Sequence, residues 1–227
     1  HVMKMAQAFA DQGNDVTLAY TACGPDHKPD DALFARYAVR PVFRLFPVIS
    51  PLPFMQRVYF AARSAIESLC GGYDLVFSRC IPSAYCALLL GRAVMFEIHD
   101  SPKSLNPVPR WMFERIIASK RLKGLVVISS ALKDHLVELY DYEPEKILTL
   151  HDGADPFHAD NVAVLKMSGF SYHAGYTGHL YQGRGVDVIL SLAAACPDIA
   201  FHIVGGRPDD ISHWEKQYDG RNIHFYG

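Results

Sequence analysis

The sequence predicts an α/β protein whose parallel sheets are doubly wound with helices in the Rossmann manner. Strand-like and helix-like segments alternate along nearly the whole chain, which is the pattern of consecutive strand–helix–strand units. The segment AVMFEI (93–98) is a nearly continuous apolar run, as expected for a strand in a sheet covered on both faces. Near the N-terminus, apolar residues recur on one helical face before Gly13 and Asn14 end that helix.

The elements of the first part follow one another in a regular order. Ser129 or Ser130 is placed to cap one of the helices, because a serine hydroxyl accepts a hydrogen bond from the free amides of a first turn. The apolar face of the opening helix consists of Val2, Met5, Ala6, Phe9 and Ala10. The further predicted strands are residues 16–20, 38–46, 75–78, 93–98, 124–128 and 146–150, and the further helices are residues 55–70, 83–91 and 108–120.

The alternation breaks near residue 160, where aspartate, glycine and proline cluster. We therefore predict a first domain over residues 1–160 and the start of a second over residues 161–227. Because no strand precedes the opening helix, we expect the first domain to lack its first strand. The second part has predicted strands at 172–177, 199–204 and 222–226 and predicted helices at 186–195 and 209–218, which is too little for a complete doubly wound domain.

Composition excludes several classes of function. Half of the 227 residues are hydrophobic and the formal net charge is −2, so nothing predicts a nucleic-acid partner. The five cysteines form no C-x-x-C pair, which indicates a reducing, cytoplasmic compartment. The eleven histidines show no zinc-site spacing, so no metal ion is predicted. The sequence contains no run of eighteen apolar residues, so no transmembrane helix is predicted.

A glycine-rich turn, YTGHLYQGRG, separates a predicted strand from a predicted helix. Gly178, Gly183 and Gly185 surround Arg184, and the helix begins near Val186. Glycine allows a close approach of the backbone to a ligand, and free amides at a helix N-terminus together with a cation suit an anion such as phosphate. The alternative is an ordinary strand-to-helix turn whose arginine points at solvent.

Polar residues follow the strands of the first part, where ligands of parallel α/β sheets bind. His99 and Asp100 come directly after the strand at 93–98, and this histidine can hydrogen-bond a sugar hydroxyl or be tied to a backbone carbonyl. Arg79 comes after the strand at 75–78, where a guanidinium suits a phosphate or carboxylate of a substrate or forms a surface salt bridge.

The last strand of the first part is followed by HDGAD. Gly153 permits a turn there, and Asp152 or Asp155 can meet a hydroxyl of a ligand. The same residue types also serve ordinary turn chemistry.

A basic and aromatic stretch, PRWMFERIIASKRLKG (109–124), has two interpretations. Such a mixture can lie against an anionic membrane, which would give the protein a peripheral contact with the inner face of the membrane. It can equally be a solvated helix face beside an apolar stripe.

Taken in order, these segments resemble glycosyltransferase family four, whose members are retaining transferases with the GT-B fold. The opening helix is similar to the family's H-V-x-x-L-A-x-x-L-x-x-x-G-H-x-V segment, with Asn14 in place of the usual histidine. LKGLVVISSALKDHL, EKILTLHDGADPF, YTGHLYQGRGVDVIL and AFHIVGG resemble four further family segments, and together the matches span nearly the whole chain.

The resemblance implies a reaction and its reactants. A retaining transferase of this kind moves a hexose from a nucleotide-diphosphate sugar, with no metal and no other cofactor, to a glycan or lipid-linked acceptor. The first domain would be the acceptor-side domain and the second the nucleotide-sugar-binding domain. The family's E-x7-E glutamate pair, which contacts the donor, would lie beyond Gly227, so we expect this chain alone to be inactive.

The resemblance also implies roles for residues. In the family the glycine-rich loop meets the donor diphosphate and its basic residue neutralises the leaving group, which here would be Arg184, with Gly178, His179 and Gly185 beside it. His99 stands where the family has a histidine near the donor sugar. Asp100 and Arg79 would belong to the acceptor-side loops, and Gly153 and Asp155 to the hinge between the domains.

Two other functions remain open at this stage. The first is a GT-B epimerase acting on the nucleotide sugar itself, although no paired carboxylate for such chemistry is visible in the sequence. The second is a non-catalytic α/β binding module. The sequence does not specify the sugar, the base or the acceptor.

Overall fold

The computed structural model describes residues 2–22, 31–51, 53–153, 155–156 and 167–227. The chain divides into two compact units, His1–Ala154 and Asp155–Gly227. The predicted boundary near residue 160 lies outside the described residues. Every strand pairing in the described part of the chain is parallel, which confirms the predicted α/β class.

In the described part of the first unit, six helices and six strands alternate along the chain, with short 3-10 turns at Pro53–Met55, Pro102–Ser104 and Pro144–Lys146. Its sheets are a pair, β2-β1, and a four-stranded sheet in the order β3-β4-β5-β6. The elements are α1 (Val2–Asp11), β1 (Thr17–Thr21), α2 (Asp31–Arg36), β2 (Arg44–Val48), α3 (Gln56–Cys70), β3 (Val76–Ser78), α4 (Ile81–Leu89), β4 (Val94–Ile98), α5 (Pro107–Ile117), β5 (Leu122–Val127), α6 (Ser130–Tyr140) and β6 (Ile147–Thr149).

The core of the first unit lies around the central strands β4 and β5, which explains their apolar sequences. Phe96 on β4 and Phe113 on α5 are both almost fully buried, and their ring centroids are 6.1 Å apart. The Ser129 hydroxyl accepts a hydrogen bond of 3.2 Å from the Leu132 amide, so Ser129 is the predicted cap of α6. This packing fixes the carboxyl ends of β3, β4 and β5, where the candidate residues lie.

A groove of about 740 Å³ is lined by residues of α1, β1 and β3, and within the described ranges β1 pairs only with β2 and β3 only with β4. The Arg44 amide donates to the carbonyl of Val16. Since alternate residues of a strand direct their backbone groups to the same edge, the backbone groups of Thr17 and Ala19 face the groove. Apolar side chains of α1 and β3 line it, and Phe9 and Leu75 are accordingly 37% and 44% exposed. The absence of a first strand stays a prediction.

The second unit has one three-stranded sheet, β7-β8-β9, with two helices. Its elements are β7 (Tyr172–Thr177), α7 (Val186–Ala195), β8 (Ile199–Val204), α8 (Pro208–Glu215) and β9 (Ile223–Phe225). Its core contains Leu180, Val186, Leu190, Ile203 and Trp214. The buried Asn222 amide donates to the carbonyls of Ala193 and Ile199 at 2.9 and 3.0 Å, which ties α7 to the sheet.

The predicted strand at 38–46 is wrong at its start. The chain turns at Ala38, whose φ is +47°, and β2 begins only at Arg44, whose amide bonds the Val16 carbonyl at 2.9 Å. Val39 and Phe43 are buried against α1 outside any strand. Their apolar character therefore reflects tertiary packing of an irregular segment.

Candidate functional site

The first group of candidate residues lies at the carboxyl ends of two neighbouring strands. Arg79 directly follows β3 and His99 directly follows β4. The register pairs Ser78 with Phe96, so the next residues, Arg79 and Glu97, are neighbours across the two strands. Residues paired in a parallel sheet share a face, and so do residues two apart along a strand. Arg79, Glu97 and His99 are therefore directed to the same face.

These three side chains form a contiguous polar cluster. The Glu97 side chain is only 3% exposed, and its Oε1 contacts His99 Nε2. The Arg79 guanidinium lies 3.0 Å from His99 Nδ1 and 3.6 Å from Glu97 Oε1. The Arg79 and His99 side chains remain 33% and 23% exposed, so the cluster reaches the surface. The sequence analysis named Arg79 and His99 but missed Glu97.

The loop after His99 is held by its own hydrogen bonds. Asp100 is exposed at the start of this loop. Ser101 Oγ accepts from the Lys103 amide at 3.3 Å and lies 2.8 Å from His135 Nε2 on α6. Ser101 therefore connects this loop to α6, and Asp100 precedes it at an exposed position.

Gly153 and Asp155 do not join this cluster. Gly153 is exposed after β6, and a Cβ at this position would meet no atom within 4 Å. His151 Nδ1 lies 2.9 Å from the Ile128 carbonyl, which connects the carboxyl ends of β6 and β5. Asp155 belongs to the second compact unit. Their proposed place at a hinge stays a prediction.

The glycine-rich loop of the second unit is anchored by one apolar residue. Leu180 is completely buried, and its carbonyl accepts a hydrogen bond of 2.5 Å from Trp214 Nε1. The Gly178 amide donates to the Val204 carbonyl at 3.0 Å, which extends the pairing of β7 with β8 into the loop. The loop thus has a fixed base at the carboxyl end of the sheet.

A second pair of glycines, which the sequence analysis did not name as site residues, packs against this base. A Cβ on Gly205 would lie 2.4 Å from the Gly178 carbonyl oxygen, and one on Gly206 would lie 2.6 Å from the Leu180 side chain. Both glycines also have positive φ, +112° and +86°. The loops after β7 and β8 therefore approach each other so closely that Gly205 and Gly206 leave no room for a side chain. In the sequence, the Gly-Gly pair directly after a predicted strand was the signal for this close approach.

The side chains of the loop gather around Tyr181. The Arg184 guanidinium lies 4.7 Å from the Tyr181 ring centroid and donates a hydrogen bond to the Tyr181 hydroxyl. The His179 ring centroid is 5.6 Å from that of Tyr181. Gly185, with φ +79°, begins α7, and Asp187 places a carboxylate in its first turn. Arg184 is exposed and folded back on its own loop, and its predicted role toward an anion stays a prediction.

A chain of histidines lies on the sheet of the second unit. His202 is 3% exposed, and its two ring nitrogens lie 2.9 Å from His173 Nδ1 and 2.7 Å from the Tyr226 hydroxyl. Burial, and then the nearby His173 and His224, lower the pKa of His202 below its usual value. Among the described residues, no group of three or more His, Cys, Asp or Glu side chains is placed to hold a metal ion.

The basic residues around α5 make local contacts. The Arg110 guanidinium donates to the carbonyls of Lys103 and Leu105 at 2.6 and 3.0 Å, and Arg115 lies over the Trp111 ring. Arg121 donates to the Gly91 carbonyl at 2.9 Å. These contacts account for part of the basic stretch without a membrane. In the part of the chain that the structure covers, no helix has the length and apolar character needed to cross a bilayer.

This chain spans 62–65% of the length of three solved structures that have a similar fold. Anabaena Alr3699/HepE in complex with UDP and glucose matches all of this chain over 64% of its own length, with a TM-score of 0.70 and 14% identity. The lipopolysaccharide outer core galactosyltransferase WaaB, in its apo form, matches all of this chain over 62% of its own length, with a TM-score of 0.63 and 14% identity. A putative UDP-N-acetylglucosamine 2-epimerase from Listeria monocytogenes matches 98% of this chain over 65% of its own, with a TM-score of 0.58 and 10% identity.

The shared fold is that of the GT-B glycosyltransferases, which confirms the predicted fold class. Sequence identities this low show the fold alone, and no curated protein matches the sequence significantly. The profile of Glycosyltransferase Family 4 matches residues 1–156, which is more than half of the chain. The chain, with its strand-end cluster and its glycine-rich loop, belongs to glycosyltransferase family 4.

Proposed function

We propose that this chain is part of an enzyme that transfers a hexose from a nucleotide-diphosphate sugar to a glycan or lipid-linked acceptor, with retention of configuration and without a metal ion. Family membership supports a transferase. HepE, which has the same fold, binds UDP and glucose, and this supports a nucleotide sugar as the donor. We place the reaction in the cytoplasm, where a lipid-linked acceptor would bring the enzyme to the inner face of the membrane.

The observation that carries this proposal is the loop pair at the carboxyl ends of β7 and β8. Ligands of parallel α/β sheets bind at this end of the strands. The pair combines glycine backbone, the start of α7 and the cation of Arg184 at one place. Backbone amides and a guanidinium can together stabilise the negative charge that develops on a diphosphate leaving group. Gly178, His179 and Gly185 would line this site.

The polar cluster of the first unit is proposed to act on the reacting sugar and on the acceptor. His99 would act near the reacting sugar, while Arg79 and Asp100 would meet polar groups of the acceptor. Gly153 and Asp155 would allow the movement that brings donor and acceptor together. The resemblance to the family implies these roles, and the positions of the residues at or after a strand end support them.

The test is the kinetics of Arg184 variants in the enzyme that contains this chain. Removing a preorganised cation from a developing charge costs a few kcal/mol, so Arg184→Ala should lower kcat/KM by about a hundredfold. Arg184→Lys should retain most of the activity, because a point charge suffices for this role. The matched control is Arg221→Ala, which removes an exposed arginine of the same unit outside the loop. Equal rates for Arg184→Ala and the control would refute the phosphate role.

An epimerase is the second candidate, because one protein with this fold is a putative UDP-N-acetylglucosamine 2-epimerase. The assay separates the two reactions by their products. A transferase releases nucleotide diphosphate only when an acceptor is present and receives the sugar. An epimerase changes the sugar of the nucleotide sugar without any acceptor. Binding of UDP-glucose with neither product would favour the non-catalytic binding module.

A further inference from the structure

We propose that Glu97 and Arg79 are positioning residues that hold the imidazole of His99 in one neutral tautomer, with its proton on Nε2 and its lone pair on Nδ1. His99 can then act on a substrate only as a hydrogen-bond acceptor, through Nδ1, after the substrate displaces Arg79. The second statement rests on the proposed function, whereas the first concerns the protein without any ligand.

The position of Glu97 requires partners for its charge. It lies in β4 between Phe96 and Ile98, which are 1% and 7% exposed, and is itself 3% exposed. A buried carboxylate is costly unless it is paired and hydrogen-bonded. Two side chains contact its Oε1. His99 lies two residues further along the chain, and Arg79 lies at the end of the neighbouring strand β3.

The proton on His99 follows from the donor inventory of its partners. A guanidinium has only donors and stays protonated, so the nitrogen of Arg79 that lies 3.0 Å from His99 Nδ1 must donate to it. Nδ1 is therefore an acceptor and carries no proton. A neutral imidazole has one proton, which must be on Nε2, where it donates to Glu97. An imidazolium would place two N–H donors face to face at Nδ1.

The arrangement determines what His99 can do. Nε2 is held by a carboxylate whose side chain is only 3% exposed, while Nδ1 is held by an arginine whose side chain is 33% exposed. A substrate group can therefore replace the arginine but not the glutamate. The group that replaces it must donate a hydrogen bond, as a sugar hydroxyl does, since the freed Nδ1 accepts. The hydrogen bond at one ring nitrogen thus sets the role of the other.

The tautomer is tested on the protein alone, by ¹⁵N NMR of its histidine rings at pH 8. The His99 signals are identified by their loss in a His99→Gln variant. The wild-type protein should show a protonated Nε2 and an unprotonated Nδ1, with no second form. A protonated Nδ1, an imidazolium or a mixture of tautomers would overturn the proposal. In Arg79→Met, Nδ1 loses its donor, so its signal should shift; an unchanged Nδ1 signal would remove Arg79 from the mechanism.

Glu97 is tested by Glu97→Gln, which keeps an acceptor at the same place but removes the charge. The Nε2–H proton signal should move upfield, and kcat of the enzyme should fall by about 10–100-fold, as is typical when a partner that orients a functional histidine is changed. KM for the nucleotide sugar should change less than kcat. The matched control is Glu114→Gln at an exposed position of α5. An unchanged Nε2–H signal and an unchanged kcat would show that Glu97 is merely structural.

The two kinds of measurement separate the two proposals. If the NMR signals are as expected but no nucleotide sugar is turned over, the proposed function fails and the tautomer stands. If turnover is observed with a protonated Nδ1 in the wild-type protein, the proposed function stands and the inference about His99 fails.

Discussion

Replacing Gly205 by alanine should loosen the base of the glycine-rich loop far more than replacing Gly183. Both glycines have positive φ, +112° and +90°. A Cβ on Gly183 would meet no atom within 4 Å, whereas one on Gly205 would lie 2.4 Å from the Gly178 carbonyl oxygen. Gly183→Ala is therefore the matched control, because it introduces a similar backbone strain without a collision.

The expected difference follows from these two distances. A positive φ costs an alanine about 1–2 kcal/mol, and both variants bear this cost. Gly205→Ala must in addition open its contact by about 0.6 Å to reach the 3.0 Å below which real Cβ contacts are essentially never found. The oxygen belongs to the backbone of Gly178, whose amide is bonded to the Val204 carbonyl, so relief of the contact requires movement of the main chain. Forced packing of this kind costs about 1–3 kcal/mol, which brings the total to about 2–5 kcal/mol.

Urea unfolding followed by the fluorescence of Trp214 measures this difference directly. The chain has two tryptophans, and a Trp111→Phe background leaves only the buried Trp214, whose indole nitrogen bonds the loop at Leu180. Gly205→Ala should lower the midpoint of this transition well below that of Gly183→Ala. If the two variants unfold at the same urea concentration, the close approach of the two loops is not a feature of the folded protein.

Two further predictions concern stability. Ser129→Ala should lower the free energy of unfolding of the first unit by about 1 kcal/mol in urea titrations, because the α6 cap is lost. Burial lowers the pKa of His202, so the free energy of unfolding of the folded protein should fall as the pH drops below about 6.5. His202→Gln should reduce the slope of the unfolding free energy against pH by at most about 1.4 kcal/mol per pH unit. The same slope in the wild-type protein and in His202→Gln would contradict this prediction.

The second unit was predicted from the sequence with the right boundaries for three elements. The predicted strands at 172–177 and 199–204 and the predicted helix at 186–195 coincide with β7, β8 and α7. In each case local chemistry and tertiary structure agree, since an apolar strand ends at a glycine and Gly185 begins the helix. Local signals suffice where a glycine with positive φ marks the boundary.

The errors in the first unit arose where tertiary contacts override local signals. The short helix α2 (Asp31–Arg36) was not predicted, because six residues are too few for a clear helical periodicity. Residues 38–46 were predicted as one strand because apolar residues alternate there, but several of them pack against α1 instead. The predicted apolar face of α1 is also only partly buried, since Phe9 lines the groove beside β1 and β3.

The sequence drew attention to individual candidate residues, but it did not predict which of their side chains contact each other. Strand ends drew attention to Arg79 and His99, yet their common partner Glu97 was missed because it lies inside the strand. A glutamate in the apolar run VMFEI, two residues before a histidine, was the signal. That Arg79 also reaches it depends on the register of β3 with β4, which pairs Ser78 with Phe96, and register is not readable from one sequence.

The contact between Arg184 and Tyr181 also shows why a folded-back arginine is compatible with an anion site. At an exposed position, a guanidinium over an aromatic ring gains only about 0.5–1 kcal/mol. A hydrogen bond to a charged group is worth about 1.5–3 kcal/mol, and a diphosphate offers more than one such acceptor. The Arg184 guanidinium would therefore bind the anion in preference to the Tyr181 ring. In the protein without a ligand, the contact with Tyr181 limits the rotamers of this long exposed side chain, so less conformational entropy is lost when a ligand binds.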